Sequence, residues 1–252
     1  MKNFCDESFD IIVQGGQSNA EGYGFGPVNA PYIPNPDIWY YDREHFIMPA
    51  MELVSDNNIR GDFSLIFATE YVKAGLLREG RKLLIIRAAV GGTGFCDNRW
   101  GVGYDLRMNM MLMIKEALAL NSQNRLIAFL WHQGETDAAG MTPTEMHRQN
   151  LLKLVGEVRE TYNYPNLPFI AGDFVHHWMN WMFHLTAPVT DAIREVCDTV
   201  GHAAFVETDG LLSNNQQIGI DDIIHFSREA LYELGVRYFD AYEGIRRGGV
   251  DE

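Results

Sequence analysis

The chain holds only three cysteines, Cys5, Cys96 and Cys197, far apart and without a CxxC pair. That excludes a disulfide framework and a cysteine zinc knuckle, and it fits a reducing compartment. No HExxH or comparable ligand spacing occurs, so neither a catalytic metal nor any other cofactor is expected. Basic residues are scarce: 20 Lys and Arg stand against 34 Asp and Glu, a formal net charge of -14, with no Lys/Arg run. Such a balance repels nucleic acid and anionic lipid. No apolar run approaches the roughly 20 residues that span a bilayer. Asp6, Glu7 and Asp10 stand where an export signal would need an apolar stretch. The expectation is a soluble, cytoplasmic protein with neither nucleic-acid nor membrane partners. Repeats and low-complexity linkers are also absent, so residues 1–252 are read as one domain.

What is present is an alternation. Runs of Ile, Val, Leu and Phe at 9–14, 83–89, 126–131, 169–174 and 203–207 have strand length and are nearly continuous. Strands buried on both faces look like this. Helical patterns lie between and after them, at 65–79, 106–120, 143–162, 189–199 and 228–242. Thr142, Pro143 and Glu145 suggest an N-cap, a first-turn proline and a capping-box acid. Gly80 suggests a helix C-cap. The order implies right-handed crossovers and a parallel sheet covered on both faces. Residues 21–62, with five prolines and the run Trp39-Tyr40-Tyr41, break the alternation and read as an ordered excursion beside the site, with room for a small strand.

In such sheets ligands bind beyond the C-terminal strand ends, and polar residues collect there. The first strand runs into Gly15-Gly16-Gln17-Ser18-Asn19 and the second into Gly91-Gly92-Thr93. The third leads to His132-Gln133-Gly134-Glu135-Thr136-Asp137, and the fourth to His176-His177-Trp178. A loop before the last helix holds Asp222 and His225. Ser18 alone reads first as a helix N-cap, the commonest fate of a serine before a helix, with a turn residue and a nucleophile as the other readings. A serine nucleophile needs a base, and the base needs an acceptor that fixes its tautomer. Asp222 and His225, three apart at a helix start, can meet. Oxyanion donors are available at the Ser18 N–H, at a Gly91-Gly92 N–H and at the Gln133 amide.

GQSN at 16–19, GGT at 91–93, WHQGETD at 131–137 and the DxxH from Asp222 to His225 resemble the SGNH/GDSL hydrolase superfamily. More narrowly they are similar to its carbohydrate acetylesterase branch, the sialate O-acetylesterase-like proteins and the acetyl xylan esterases of carbohydrate esterase family 6. The resemblance implies a three-layer α/β/α sandwich with a flavodoxin-like, five-stranded parallel sheet. It implies Ser18 as nucleophile, His225 as base and Asp222 as its partner, with Glu135 sharing or taking that last role. The oxyanion donors would be Ser18, Gly92 and Gln133, the glutamine replacing the superfamily's asparagine. The expected substrate is an acetylated carbohydrate, of xylo-oligosaccharide or sialic acid type. A non-catalytic sugar-binding protein and a general small-ester or thioester hydrolase are the alternatives. Asn19, Gly91 and Thr93 are candidate substrate contacts, as are His176, His177 and Trp178. A carboxylate-bearing sugar would require a cation, for which Arg87 and Arg99 are the nearest in sequence, and neutral sugars are favoured.

Overall fold

The structure is a computed structural model that describes residues 4–55 and 57–248. Among the described residues nine strands form, β1 (Ser8–Gly16), β2 (Ile38–Tyr41), β3 (Ile47–Pro49), β4 (Leu53–Ser55), β5 (Asn58–Arg60), β6 (Arg81–Arg87), β7 (Arg125–His132), β8 (Phe169–Gly172) and β9 (Ala203–Val206). The helices are α1 (Ser18–Glu21), α2 (Phe63–Lys73), α3 (Asp105–Ala119), α4 (Glu135–Ala139), α5 (Thr144–Tyr162), α6 (His176–Trp181), α7 (Phe183–Thr199), α8 (Asn214–Ile218) and α9 (Arg228–Gly248). The main sheet runs β3-β2-β6-β1-β7-β8-β9, parallel except for β3. The five expected strands are β1, β6, β7, β8 and β9, and they lie in the flavodoxin-like order 2-1-3-4-5. The excursion adds β2 and β3 at the edge beside β6, and β4 and β5 pair as a hairpin.

Alternation along each strand builds the two outer layers. Phe9, Ile11 and Val13 of β1 point with Leu84, Ile86, Phe129 and Trp131 into one face, where Met110, Met113, Leu151, Leu154, Ile193 and Val196 of α3, α5 and α7 cover them. Ile12, Leu83, Ile85, Ala128 and Leu130 point the other way, onto Phe63 and Phe67 of α2 and Leu231, Leu234 and Tyr238 of α9. The result is the expected α/β/α sandwich.

Several boundaries differ from the sequence reading, three of them at helix ends where a glycine, a cap or a proline is involved. Helix α2 stops at Lys73, because Gly75 supplies a left-handed residue (φ 71°) sooner than Gly80, which instead turns the chain into β6. At the start of α5 Pro143 occupies the cap position without a side-chain bond; the Thr142 hydroxyl turns to Asp137 and Glu145 pairs with Arg148, so no capping box forms. Helix α7 begins six residues early and carries Pro188 inside it.

The N-terminal strand ends are tied by a buried charge. Asp10 Oδ1 accepts from Arg81 Nε and Arg125 Nε, both at 2.7 Å, and Oδ2 accepts from Tyr71 Oη at 2.9 Å. Burial acts to raise the Asp10 carboxyl, but these donors hold it below its ordinary value. Its contribution to stability is therefore present above the ordinary aspartate range and lost as pH falls through the depressed folded value. Asp10→Asn should cost about 2–4 kcal/mol at neutral pH, since it leaves Arg81 and Arg125 without their shared anion. Urea unfolding checks this, and a loss under about 0.5 kcal/mol would contradict the anchor.

Candidate active site

The reversal of strand order places a crevice at the C-terminal ends of β1 and β7. The two strands close tightly there. A Cβ on Gly16, whose φ is 129°, would lie 2.1 Å from the His132 carbonyl oxygen, and Gln17 N donates to that same oxygen at 3.0 Å. Only glycine fits at this position. The chain then enters α1 with Ser18 at its first position.

Ser18 Oγ lies 2.8 Å from His225 Nε2. His225 Nδ1 lies 2.9 Å from Asp222 Oδ2 and 3.0 Å from Oδ1. Asp222 is itself fixed: Oδ1 accepts from the backbone N–H groups of Ile224 (3.3 Å) and His225 (3.1 Å), and Oδ2 from Asn214 Nδ2 (2.8 Å). Burial pushes the Asp222 carboxyl up, but the His225 and Asn214 hydrogen bonds outweigh it, and the carboxyl lies below its ordinary value. Tyr23 stacks on the His225 ring with centroids 5.3 Å apart, and the Arg60 guanidinium lies over the Tyr23 ring, 3.8 Å from its centroid.

An open cavity of about 590 Å³ sits over Ser18, and Gln17, Tyr23, Arg43, Gly91, Gly92, Thr136, Ile224 and His225 are among its lining residues. The N–H groups of Ser18 and Gly92 have no acceptor among the described residues, whereas Gly91 N donates to Glu21 Oε2 at 2.7 Å. Gln133 is not where the sequence places it. It is fully buried, and its Nε2 is held by Asp137 Oδ2 at 2.7 Å, with Thr93 O and Gln17 Oε1 each at 3.3 Å. The glutamine that reaches the cavity is Gln17. Its Oε1 accepts from Thr136 N (3.1 Å) and Gly134 N (3.4 Å), so its Nε2 is the end left to donate. The signal for it stood inside GQSN, one residue before the serine.

Other expected contacts need correction. Glu135 makes no hydrogen bond to His225; it is buried and accepts from Asn19 Nδ2 at 2.7 Å. Asn19 is fully buried and does not line the cavity. The Thr93 hydroxyl donates to Val90 O and accepts from Trp100 Nε1. His176 faces Asp173 and Asp209, His177 faces Ser213, and Trp178 is buried against Phe174. These three begin α6, whose Trp178 and Met179 pack into the core, and that draws the segment away from Ser18. Arg87 is tied to Glu21 O and Asp62, and Arg99 to Asp105. The cation at the cavity is Arg43, held by one 3.3 Å contact to Glu21 Oε1. Arg43 and Tyr23 arrive from the irregular excursion, where no local pattern marks them. Among the described residues, no group of three or more His, Cys, Asp or Glu is arranged to hold a metal ion, and no helix is long and apolar enough to cross a membrane.

Comparison with known proteins gives the same direction. Among solved structures the chain is similar to NanS (18% identity, TM-score 0.82, covering 96% of this chain and 99% of that one). It is also similar to a protein from Arabidopsis thaliana (20% identity, TM-score 0.71, 93% and 98%). A third is a carbohydrate acetylesterase from Xanthomonas citri (14% identity, TM-score 0.61, 95% and 57%). At these identities the likeness establishes the fold. Comparison with curated proteins returns no match. The family described as "Carbohydrate esterase, sialic acid-specific acetylesterase" matches residues 8–244. A sequence match over that much of the chain is decisive, and the protein belongs to this carbohydrate esterase family.

Proposed function

We propose that the protein is a serine esterase that removes O-acetyl groups from carbohydrates through an acetyl-serine intermediate. The observation that carries this reading is the relay from Ser18 through His225 to Asp222, with contacts of 2.8 and 2.9 Å beside an open cavity. His225 Nε2 takes the Ser18 proton as Oγ attacks the acetyl carbonyl carbon. The N–H groups of Ser18 and Gly92 and the Gln17 amide stabilise the oxyanion. The intermediate collapses, the sugar oxygen leaves, and His225 returns the proton to it. Water then adds to the acetyl-serine, giving its proton to His225; acetate departs and Ser18 regains its hydrogen. Asp222 holds the imidazole tautomer and offsets the imidazolium charge. No step calls for a cofactor.

A fluorophosphonate probe tests this directly. It should attach to Ser18 and block hydrolysis of acetyl esters; folded protein that stays unlabelled at Ser18 would instead favour a non-catalytic sugar-binding role.

Arg43 supports a substrate that carries a carboxylate, a sugar of the sialic acid type, in place of the neutral sugar favoured from sequence. Among the described residues its one long contact, to Glu21, leaves most of the guanidinium's donors unspent. Arg43→Ala should raise KM for O-acetylated sialic acid by about 10- to 100-fold, the worth of a charge-assisted hydrogen bond. KM for an uncharged aryl acetate should change little. Equal effects on both substrates would remove the carboxylate assignment.

A further inference from the structure

The asparagine of GQSN and the glutamate of QGETD, which borders the cavity, meet beside the nucleophile, 116 residues apart in sequence, on a contact that neither motif's reading requires. Asn19 Nδ2 donates to Glu135 Oε1 at 2.7 Å and to Ile224 O at 3.1 Å, while Asn19 Oδ1 accepts from Phe226 N at 3.0 Å. Ile224 O can only accept and Phe226 N can only donate, so the orientation of the amide is settled by chemistry. The two backbone groups it binds belong to the residues on either side of His225. The groups between them are used as well, since His225 N donates to Asp222 Oδ1 and His225 O accepts from Asn214 N.

We propose that Asn19 and Glu135 act as a positioning pair: Asn19 clamps both backbone flanks of His225, and Glu135 holds the Asn19 amide in the orientation the clamp needs. The proposal rests on the reading of His225 as the general base. It assigns Glu135 a role through Asn19, with no direct hydrogen bond to the imidazole.

The surroundings of Glu135 fit this. Tyr238 Oη donates to Trp131 O at 2.9 Å, so at its 3.0 Å contact with His132 it accepts from Nδ1–H. His132 is fully buried and neutral, its imidazole pushed down to about 3, with its Nε2 lone pair 4.0 Å from Glu135 Oε1. Burial pushes the Glu135 carboxyl up, against the Asn19 amide, the backbone N–H groups of Glu135 and Gly134 and the nearby His225, and among the described residues no cation is hydrogen-bonded to it. Its donors are the Asn19 amide and neighbouring backbone N–H groups, all neutral, and such a site asks for an acceptor more than for a negative charge. A glutamine side chain meets that demand. Its Oε1 accepts from Asn19 as the carboxylate oxygen does.

Kinetics on an aryl acetate, with melting curves to establish folding, test the pair. Asn19→Ala and Glu135→Ala should each lower kcat by about 30- to 100-fold with KM within about threefold, because a loosened base loses reactive geometry rather than binding. The double variant should be no more than about threefold worse than Asn19→Ala, because the two act in series. Glu135→Gln should recover kcat to within about fivefold of the wild type. If Glu135→Ala does not fold, Glu135→Gln together with Asn19→Ser carries the test, the first near wild type and the second low. Glu135→Gln as low as Glu135→Ala, or multiplicative losses in the double variant, would overturn the proposal in favour of direct contact between Glu135 and the base. A full-rate Asn19→Ala would also overturn it. Failure of the esterase reading itself shows separately, as hydrolysis that survives the loss of Ser18.

Discussion

Ser18→Ala is expected to lower kcat for acetyl ester hydrolysis by about 10⁵-fold or more while the fold stays intact. The magnitude follows from the work assigned to one oxygen. Without Oγ no acetyl-enzyme forms, and His225 has no bound nucleophile to activate, so only binding and oxyanion stabilisation remain. The intact fold follows from the local geometry. Gln17 occupies the N-cap position of α1, and no side-chain cap hydrogen bond is made there. The Ser18 hydroxyl therefore does no capping; its partner is His225 Nε2. Removing it leaves no backbone donor unpaired, and the expected stability change is about 0.5–1 kcal/mol at most. A cap residue would behave in the opposite way, losing stability and keeping its rate. Steady-state kinetics with a melting curve on the same sample separate the two, and turnover at more than about 1% of the wild-type rate would remove Ser18 as nucleophile.

How far the sequence leads can be traced residue by residue. The five central strands are legible because burial on both faces writes itself into the chain: Phe9 to Val13 must be apolar at every position except Asp10, which three donors satisfy. The order of those strands places their C-terminal ends, and the Ser18, Asp222 and His225 side chains follow from it. In the excursion a small strand is expected and β2 supplies one over the run Trp39-Tyr40-Tyr41, but its bounds, its place in the main sheet and β3 are not legible. The two strands hold seven residues between them, and β3 lies at the open edge with Pro49 and half-exposed Met48. The pattern of β3 is indistinguishable from that of a proline-rich loop. The partners of the polar motif residues are also hidden. Gln133 and Gln17 have the same chemistry, and which one faces the cavity depends on where Asp137 folds back along α4. Glu135 as a partner of His225 and Glu135 as a partner of Asn19 are equally compatible with QGETD; a 2.7 Å contact in three dimensions decides which one exists. His176 and His177 mislead for a related reason, since a strand end predicts exposure to the crevice only until a helix starts there and draws the side chains to other partners.

Asp222→Asn should reduce kcat by about 10³- to 10⁴-fold, the scale of the corresponding change in serine proteases, and the hydrogen bonds around Asp222 explain why the substitution cannot be absorbed. The Oδ1 position receives two backbone donors, Ile224 N and His225 N, so the oxygen of the new amide must stay there. Its NH2 then falls at the Oδ2 position, facing His225 Nδ1 and Asn214 Nδ2. Asn214 cannot turn its own oxygen inward without cost, because its Oδ1 accepts from Phe25 N at 2.8 Å and its Nδ2 also donates to Tyr23 O at 2.9 Å. The amide oxygen at Oδ1, 3.0 Å from Nδ1, is already shared by two backbone donors, so the nearer NH2 drives His225 Nδ1 to accept, the ring proton moves to Nε2, and a donor faces the Ser18 hydroxyl where an acceptor is needed. The base is present and held in the wrong tautomer. Because this loss is one of protonation geometry, KM should change by less than about threefold and labelling of Ser18 by a fluorophosphonate should slow in parallel with kcat. The Asp222 carboxyl lies below its ordinary value, so in the wild type the carboxylate persists as pH falls through the usual aspartate range. Asp222 itself should not set the acid limit of activity above that range. A variant that keeps more than about a tenth of the wild-type kcat would mean that another acceptor serves His225, and the Asp222 contact would then be structural.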